Sequence, residues 1–420
     1  MSADPTADAR DLFDRGHAAL AAADPREALE CFTRAVALRP DVAAGYRARA
    51  RAYVALDRRG EALADLDRAV RLKPDDPAAY AERAELLFRQ KSHDAAAADC
   101  DTVLSLDPGW AAVHGLRAQC YAAAGRTEKA LADFAAAIAS DPDHAAHYLL
   151  ARANLHLDGE RYAEAAADCT AVLQLDPESA AAFRTRGLAH RELGDGLAAE
   201  ADLSEAIRLD PDAVLTRQLR AWVRLALGRP DEAIADCDEV IRRAPTGAEA
   251  YTLRGACRQQ LGDLDGAVSD FSEAIRLSAK PAAAYNLRAA VHAQAGRYAD
   301  AVRDHLAVLE RSPRDPAAFN HLAWLWATAP DDAIRNGERA KECAVRACEL
   351  TEWQDPTCLD TLAAACAECG EFDAAVQWQE KAIALAAPEL AAEYAARLER
   401  YRRGEPYRDD PGEPQAAARG

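Results

Sequence analysis

From Ala9 onward the apolar residues fall three and four positions apart, in segments of about a dozen residues. Such segments are too long for strands and are spaced to line one face of a helix. They come in twos, and each pair is followed by a proline: Pro40, Pro74, Pro108, Pro142, Pro177, Pro211, Pro245 and then Pro313. The interval is 34 residues, with one step of 35 and a last step of 68. Ala279 holds the vacant phase in that last step, and Pro281 sits two residues late. Proline cannot continue a helix, so each one marks the end of a second segment.

Setting this proline as position 32 opens the first repeat at Ala9 and brings other columns into line. Position 8 is always small: Gly16, Ala50, Ala84, Ala118, Ala153, Gly187, Ala221, Gly255, Ala289. Position 20 is always alanine, from Ala28 to Ala301. Position 4 is aromatic at Tyr46, Tyr80, Phe183, Tyr251 and Tyr285, and position 15 is glycine at 125, 194, 228, 262 and 296. Glycine there supplies the left-handed residue that ends a first helix. Small residues at 8 and 20 let two helix backbones approach, and the bulkier residues at 4 and 24 fill the space around them. One such pair cannot bury both faces, so neighbouring pairs must stack.

Small at 8, Ala at 20, aromatic at 24, small at 27 and Pro at 32 together resemble the tetratricopeptide repeat family, over nine consecutive repeats from 9 to 315. The fifth repeat carries one extra residue near Ala145–Tyr148. The resemblance implies an all-α, right-handed superhelical solenoid. Phe319, Ala323, Ala340 and Ala347 continue it as a tenth repeat with its inter-helix loop lengthened by Ala329–Asn336. Leu359, Ala363, Gly370, Ala375 and Ala382 form an eleventh. The wording of 322–340 and of YRRGEPYRDD resembles a terminal module of large bacterial, planctomycete-type repeat proteins. The expected layout is a disordered 1–8, nine repeats over 9–315, two divergent repeats over 316–388, a capping helix over 389–404 and a flexible tail over 405–420.

Charge narrows the partners. Acidic residues outnumber basic ones 70 to 51, a formal net charge of −19, which disfavours nucleic acid. The N-terminus has no basic cluster leading into an apolar run, and no uncharged apolar stretch of about 18 residues occurs. Eleven cysteines without an export signal read as reduced cytoplasmic thiols. A soluble cytoplasmic monomer, bounded by Met1 and Gly420 and with no catalytic domain beyond them, is expected.

Candidate chemistry is sparse. Cys100, Cys169 and Cys237, with His305, occupy position 24, and each has Val at position 27, whereas Phe or Leu at 24 goes with Ala at 27. That exchange conserves volume, so these are packing residues. Cys343, Cys348, Cys358, Cys366 and Cys369 cluster near the C-terminus, but Cys366 and Cys369 stand at ordinary helix positions with no second CxxC. Buried thiols are expected there, with a metal- or redox-responsive accessory subunit as the alternative function. No metal, cofactor or catalytic residue is expected, for no nucleophile, phosphate-loop or HExxH pattern occurs.

Two charged columns stand out. Position 7 is Arg in all nine regular repeats and position 23 is Asp in eight. The expected structural ion pairs are Arg49 with Asp65, Arg83 with Asp99, Arg117 with Asp133, Arg152 with Asp168, Arg186 with Asp202, Arg220 with Asp236, Arg254 with Asp270 and Arg288 with Asp304. The columns meet within a repeat or across to the next.

In the family the first helix of each pair lines the concave face with positions 2, 5, 6, 9, 12 and 13. Carried onto this chain, that face is charged in the N-terminal half, with Arg47, Arg51, Glu82, Glu85 and Arg89 among others. From the seventh repeat to the tenth it becomes apolar and amide-rich. The candidate peptide-binding residues there are Gln218, Leu219, Trp222, Gln259, Asn286, Gln294, Asn320 and Trp324, with Glu249 the one charge in the stretch. A family clamp for chaperone carboxylate tails needs Lys at 5, Asn at 9 and Asn at the next 6, a set that no adjacent repeats provide. The implied function is a non-catalytic scaffold that binds extended protein segments.

Overall fold

The computed structural model describes residues 5–409, and among them every element is helical. Two compact units divide the chain, Met1–Pro211 and Asp212–Gly420. The first holds six antiparallel pairs: α1 and α2 (Pro5–Ala21, Pro25–Leu38), α3 and α4 (Ala43–Ala55, Arg59–Leu72), α5 and α6 (Pro77–Arg89, His93–Leu106), α7 and α8 (Ala111–Ala123, Thr127–Ser140), α9 and α10 (Ala145–Asp158, Tyr162–Leu175), α11 and α12 (Ala180–Glu192, Gly196–Leu209). The second holds five pairs and a single helix: α13 and α14 (Val214–Ala226, Pro230–Arg243), α15 and α16 (Ala248–Gln260, Leu264–Leu277), α17 and α18 (Ala282–Gln294, Tyr298–Arg311), α19 and α20 (Pro316–Thr328, Gly337–Leu350), α21 and α22 (Pro356–Glu368, Phe372–Leu385), then α23 (Pro388–Arg402).

Close approach within a pair follows from the small columns. All nine alanines at position 20 have no exposed surface. A Cβ added to Gly255 would stand 2.9 Å from the Phe271 ring, and one on Gly16 would stand 2.5 Å from Phe32, so glycine at 8 makes room for phenylalanine at 24. The extra residue of the fifth repeat is taken up by a single 3-10 turn, Pro142–His144, ahead of α9.

Position 24 also packs onto position 10 of the following repeat, and over repeats two to five and seven to nine this seam alternates in bulk. Leu66 meets Leu86, Phe134 meets Leu155 and Phe271 meets Val291. Between these stand lean seams, where Cys237 meets Cys257 and Cys100 neighbours Cys120.

Two boundaries differ from expectation. Residues 5–8, read from sequence as disordered, open α1, with Pro5 in its first turn and Asp8 at its positive end; the expectation for 1–4 lies outside the described residues. Residues 405–409, read as flexible, fold back on α19, and 410–420 lie outside the described residues.

Candidate peptide-binding groove

The charged columns build the frame that holds the first helices. In each of the eight pairs named above, the guanidinium grips its own repeat's carboxylate with two hydrogen bonds. Arg49 Nε and Nη2 donate to Asp65 at 2.7 and 2.8 Å, and the same fork recurs at Arg83–Asp99, Arg117–Asp133, Arg152–Asp168 and Arg186–Asp202. Arg220–Asp236, Arg254–Asp270 and Arg288–Asp304 repeat it in the second unit. The hydrogen bond to Asp65 raises the Arg49 pKa against the opposing effect of burial.

The same arginines reach back one repeat, to acceptors at position 25 that the column reading passed over. Arg83 Nη1 donates to Asp67 at 2.8 Å, Arg117 to Asp101 at 2.6 Å and Arg254 to Asp238 at 2.5 Å; Arg186 uses Thr170 and Arg288 uses Ser272. Each of Arg49, Arg83, Arg186, Arg254 and Arg288 also lies 5.5–5.6 Å from the aromatic centroid at position 4 of its own repeat. One side chain thus ties two helices of one repeat to the second helix of the repeat before.

On the exposed face of the first helices, the second unit places the sequence candidates unevenly. Leu215 and Trp222 of α13 stand out at 69% and 45% exposure, with Leu219 half-buried between them. Gln218 Nε2 donates to Glu249 Oε2 at 2.6 Å, and Gln259 Nε2 donates to Gln294 Oε1 at 3.1 Å. Asn286 meets His305 Nδ1 through its Oδ1 at 3.2 Å. These amides bridge neighbouring first helices or reach a second helix.

Asn320 and Trp324 hold the same repeat positions on α19 but are not open to solvent as expected. They are 5% and 7% exposed, and the chain beyond α23 lies against Trp324. Trp324 Nε1 donates to Asp409 Oδ2 at 3.3 Å, and its ring lies 5.7 Å from that of Tyr407. Below them lies a buried centre without any column in the sequence: Arg397 of α23 and Asp360 of α21, 2% and 1% exposed. Arg397 Nε and Nη2 donate to Asp360 at 2.8 and 2.9 Å, and Gln379 Nε2 donates to Asp360 Oδ1 at 2.8 Å. Burial opposes the Arg397 charge, but Asp360 more than offsets it and the pKa is raised.

In the first unit, the corresponding face carries a cavity of about 550 Å³ lined by Arg47, Arg51, Glu82, Trp110, Leu116 and Tyr148 among others. Its charges are internally matched. Arg47 donates to Asp76 at 2.9 Å and to Glu82 at 2.7 Å, and Arg51 also reaches Glu82.

The cysteine cluster has no reactive environment. Burial pushes the thiols of Cys348 and Cys358 up to about 12 and those of Cys343 and Cys366 up to about 11, away from the thiolate that metal or redox chemistry needs. Cys369 is raised by the same cause, and its Sγ occupies the space a Cβ on Gly337 would need, 2.8 Å away. Among the described residues no three His, Cys, Asp or Glu side chains stand together so as to hold a metal ion. The metal- or redox-responsive alternative therefore has no support. No helix among the described residues is long and apolar enough to cross a membrane.

Comparison with known proteins completes the description. No curated protein matches the chain. Among solved structures it is similar to a tetratricopeptide repeat protein from Parabacteroides merdae, at 21% identity over 59% of this chain and 98% of that one, with a TM-score of 0.45. It is also similar to the C-terminal part of a TPR repeat-containing protein from Cytophaga hutchinsonii (17%, 56% and 97%, TM-score 0.49) and to yeast Tom70 (16%, 94% and 95%, TM-score 0.38). Two family models, each described as Tetratricopeptide repeat, match overlapping stretches that run without a break over residues 13–316, well over half of the chain. With its repeated columns, its paired helices and the two family models over 13–316, the chain belongs to the tetratricopeptide repeat family.

Proposed function

We propose that the protein is a non-catalytic scaffold that binds an extended protein segment on the first-helix face of repeats seven to nine. Tetratricopeptide repeats in general mediate protein–protein interaction, and this chain is built from them. The observation that carries the assignment to these repeats is the exposed pair Leu215 and Trp222 on α13. Their apolar surface is left in water on a helix whose Ala221 and Val223 are buried, and aromatic anchors of that kind dominate binding energies. Gln218, Leu219, Gln259, Asn286 and Gln294 continue the surface, and their amides carry donors and acceptors that suit a peptide backbone of any sequence. The partner is a protein or peptide. The net charge of −19 speaks against nucleic acid, and the eleven unpaired thiols fit a reducing cytoplasm. We read the chain as a monomer of bacterial origin, the latter from the wording of its C-terminal module.

The test is affinity capture of a partner from the native host, followed by titration of that partner with Trp222→Ala and Asn286→Ala combined. Affinity should fall tenfold or more, about 1.4 kcal/mol. An unchanged affinity in a folded double variant would move the site to the cavity of the first unit or to the opposite face.

A further inference from the structure

Position 9 carries tryptophan twice in the second unit, and the two have opposite surroundings. Trp222 in the seventh repeat is open to solvent, whereas Trp324 in the tenth is buried with Tyr407 and Asp409 of the chain itself against it. Gly404, at φ +70°, ends α23 and turns the chain back, and Glu405-Pro406 keeps it out of helical conformation. The segment then lies along α19 as a bound peptide would. Tyr407 sets its ring against Trp324, and the Arg397 guanidinium lies 5.4 Å from both centroids. Arg408 pairs with Glu368 at 2.7 Å. Asp409 accepts from the Trp324 indole, and its backbone N–H donates at 2.9 Å to the carbonyl of Thr328, one of the orphan acceptors in the last turn of α19.

We infer that residues 404–409 are a strap that occupies, in cis, a binding cleft for an extended aromatic–basic–acidic segment over Trp324, and that they compete there with the same chemistry presented in trans. The inference rests on the groove reading above, extending it from the ninth repeat to the tenth. The strap is built for release. Residues 405–409 have no regular secondary structure; the main chain of 404–406 is held only at the end of α23, by Tyr401 and Arg400, and past that point a single main-chain hydrogen bond reaches α19, the other holds being side chains. Its tether keeps it at a local concentration on the order of millimolar, so an external peptide meets a cleft already taken.

The experiment compares the full chain with a chain ending at Arg403. The probe is a fluorescein-labelled synthetic peptide Gly-Glu-Pro-Tyr-Arg-Asp, followed by anisotropy up to millimolar concentration. The shortened chain should bind the probe, should bind its Tyr→Ala analogue at least tenfold more weakly, and should outbind the full chain at least tenfold. A shortened chain with unchanged helix content that ignores the probe, or a full chain that binds it equally, overturns the strap. Should the shortened chain not fold, the full-length variant Tyr407→Ala with Asp409→Ala replaces it; probe affinity equal to that of the parent then overturns the inference. Failure here leaves the Trp222 end untouched, because that end is tested by Trp222→Ala against a captured partner with the strap in place.

Discussion

The turn between paired helices places position 15 in the left-handed region whichever residue occupies it. Gly228, Gly262 and Gly296 adopt φ of 71–81°, and Ala23, Asp57, Lys91 and Glu160 are held at 57–62°. A side chain there costs about 1–2 kcal/mol, of which glycine's greater freedom when unfolded returns about 0.4–1. Lys91→Gly should therefore raise stability, and Gly262→Ala, whose added Cβ meets nothing within 4 Å, should lower it by about 1 kcal/mol. Urea melts of the two variants must move in opposite directions. A second residue-scale effect belongs to His305, buried beside His321 at 4.9 Å and held neutral by burial, its pKa pushed down to about 3 from 6.5. The unfolded chain takes up this proton first, so the stability is present above pH 6.5 and is lost as the pH falls from 6.5 toward 3. At pH 5.5 that loss is on the order of 1 kcal/mol. His305→Cys copies the Cys100 and Val103 arrangement of an earlier repeat and should flatten the fall in melting temperature between pH 6.5 and 4.5. An unaltered slope would mean that His305 does not carry the effect.

At the scale of the element, the ion pairs divide into two grades. Arg152 keeps 24% of its side chain in contact with water, whereas Arg397 keeps 2%. Asp360→Ala strands a guanidinium that water cannot reach and should cost about 3–5 kcal/mol. Asp168→Ala should cost less, about 1–3 kcal/mol, because Arg152 can turn to solvent. Equal losses in denaturant melts would contradict this grading. The two grades also mark how far the sequence could be read. Arg152 and Asp168 stand in columns repeated along the chain, so their meeting was legible, although the reach back to position 25 was not. Asp360, Gln379 and Arg397 occur once, in divergent repeats and a helix without a register, and no pattern links residues 37 apart. Asn320 and Trp324 read as groove residues because their positions in the repeat are groove positions. Trp324 is covered in part by Tyr407 and by Asp409, 85 residues downstream in a segment whose composition reads as loose tail, and no column marks Asn320 as buried. Periodicity reports what neighbours share and is silent on what a single distant segment does.

At the scale of the whole molecule the thiols give a direct test. Of the eleven, nine are buried and Cys343 and Cys369 are half-buried. Native protein should react with a bulky aromatic disulfide at no more than these two positions within minutes, and at all eleven once unfolded. Fast reaction at Cys358 or Cys366 in native protein would reopen the redox reading. The alternating seams carry a consequence for how such a chain can grow or shrink. Excising residues 77–110 alone would set Leu66 against Cys120, a bulky face against a lean one, and leave a void where Leu86 had been. Excising 77–144 would set Leu66 against Leu155, like against like. Along this stretch, therefore, a change of length by 68 residues keeps like against like, and a change by 34 does not.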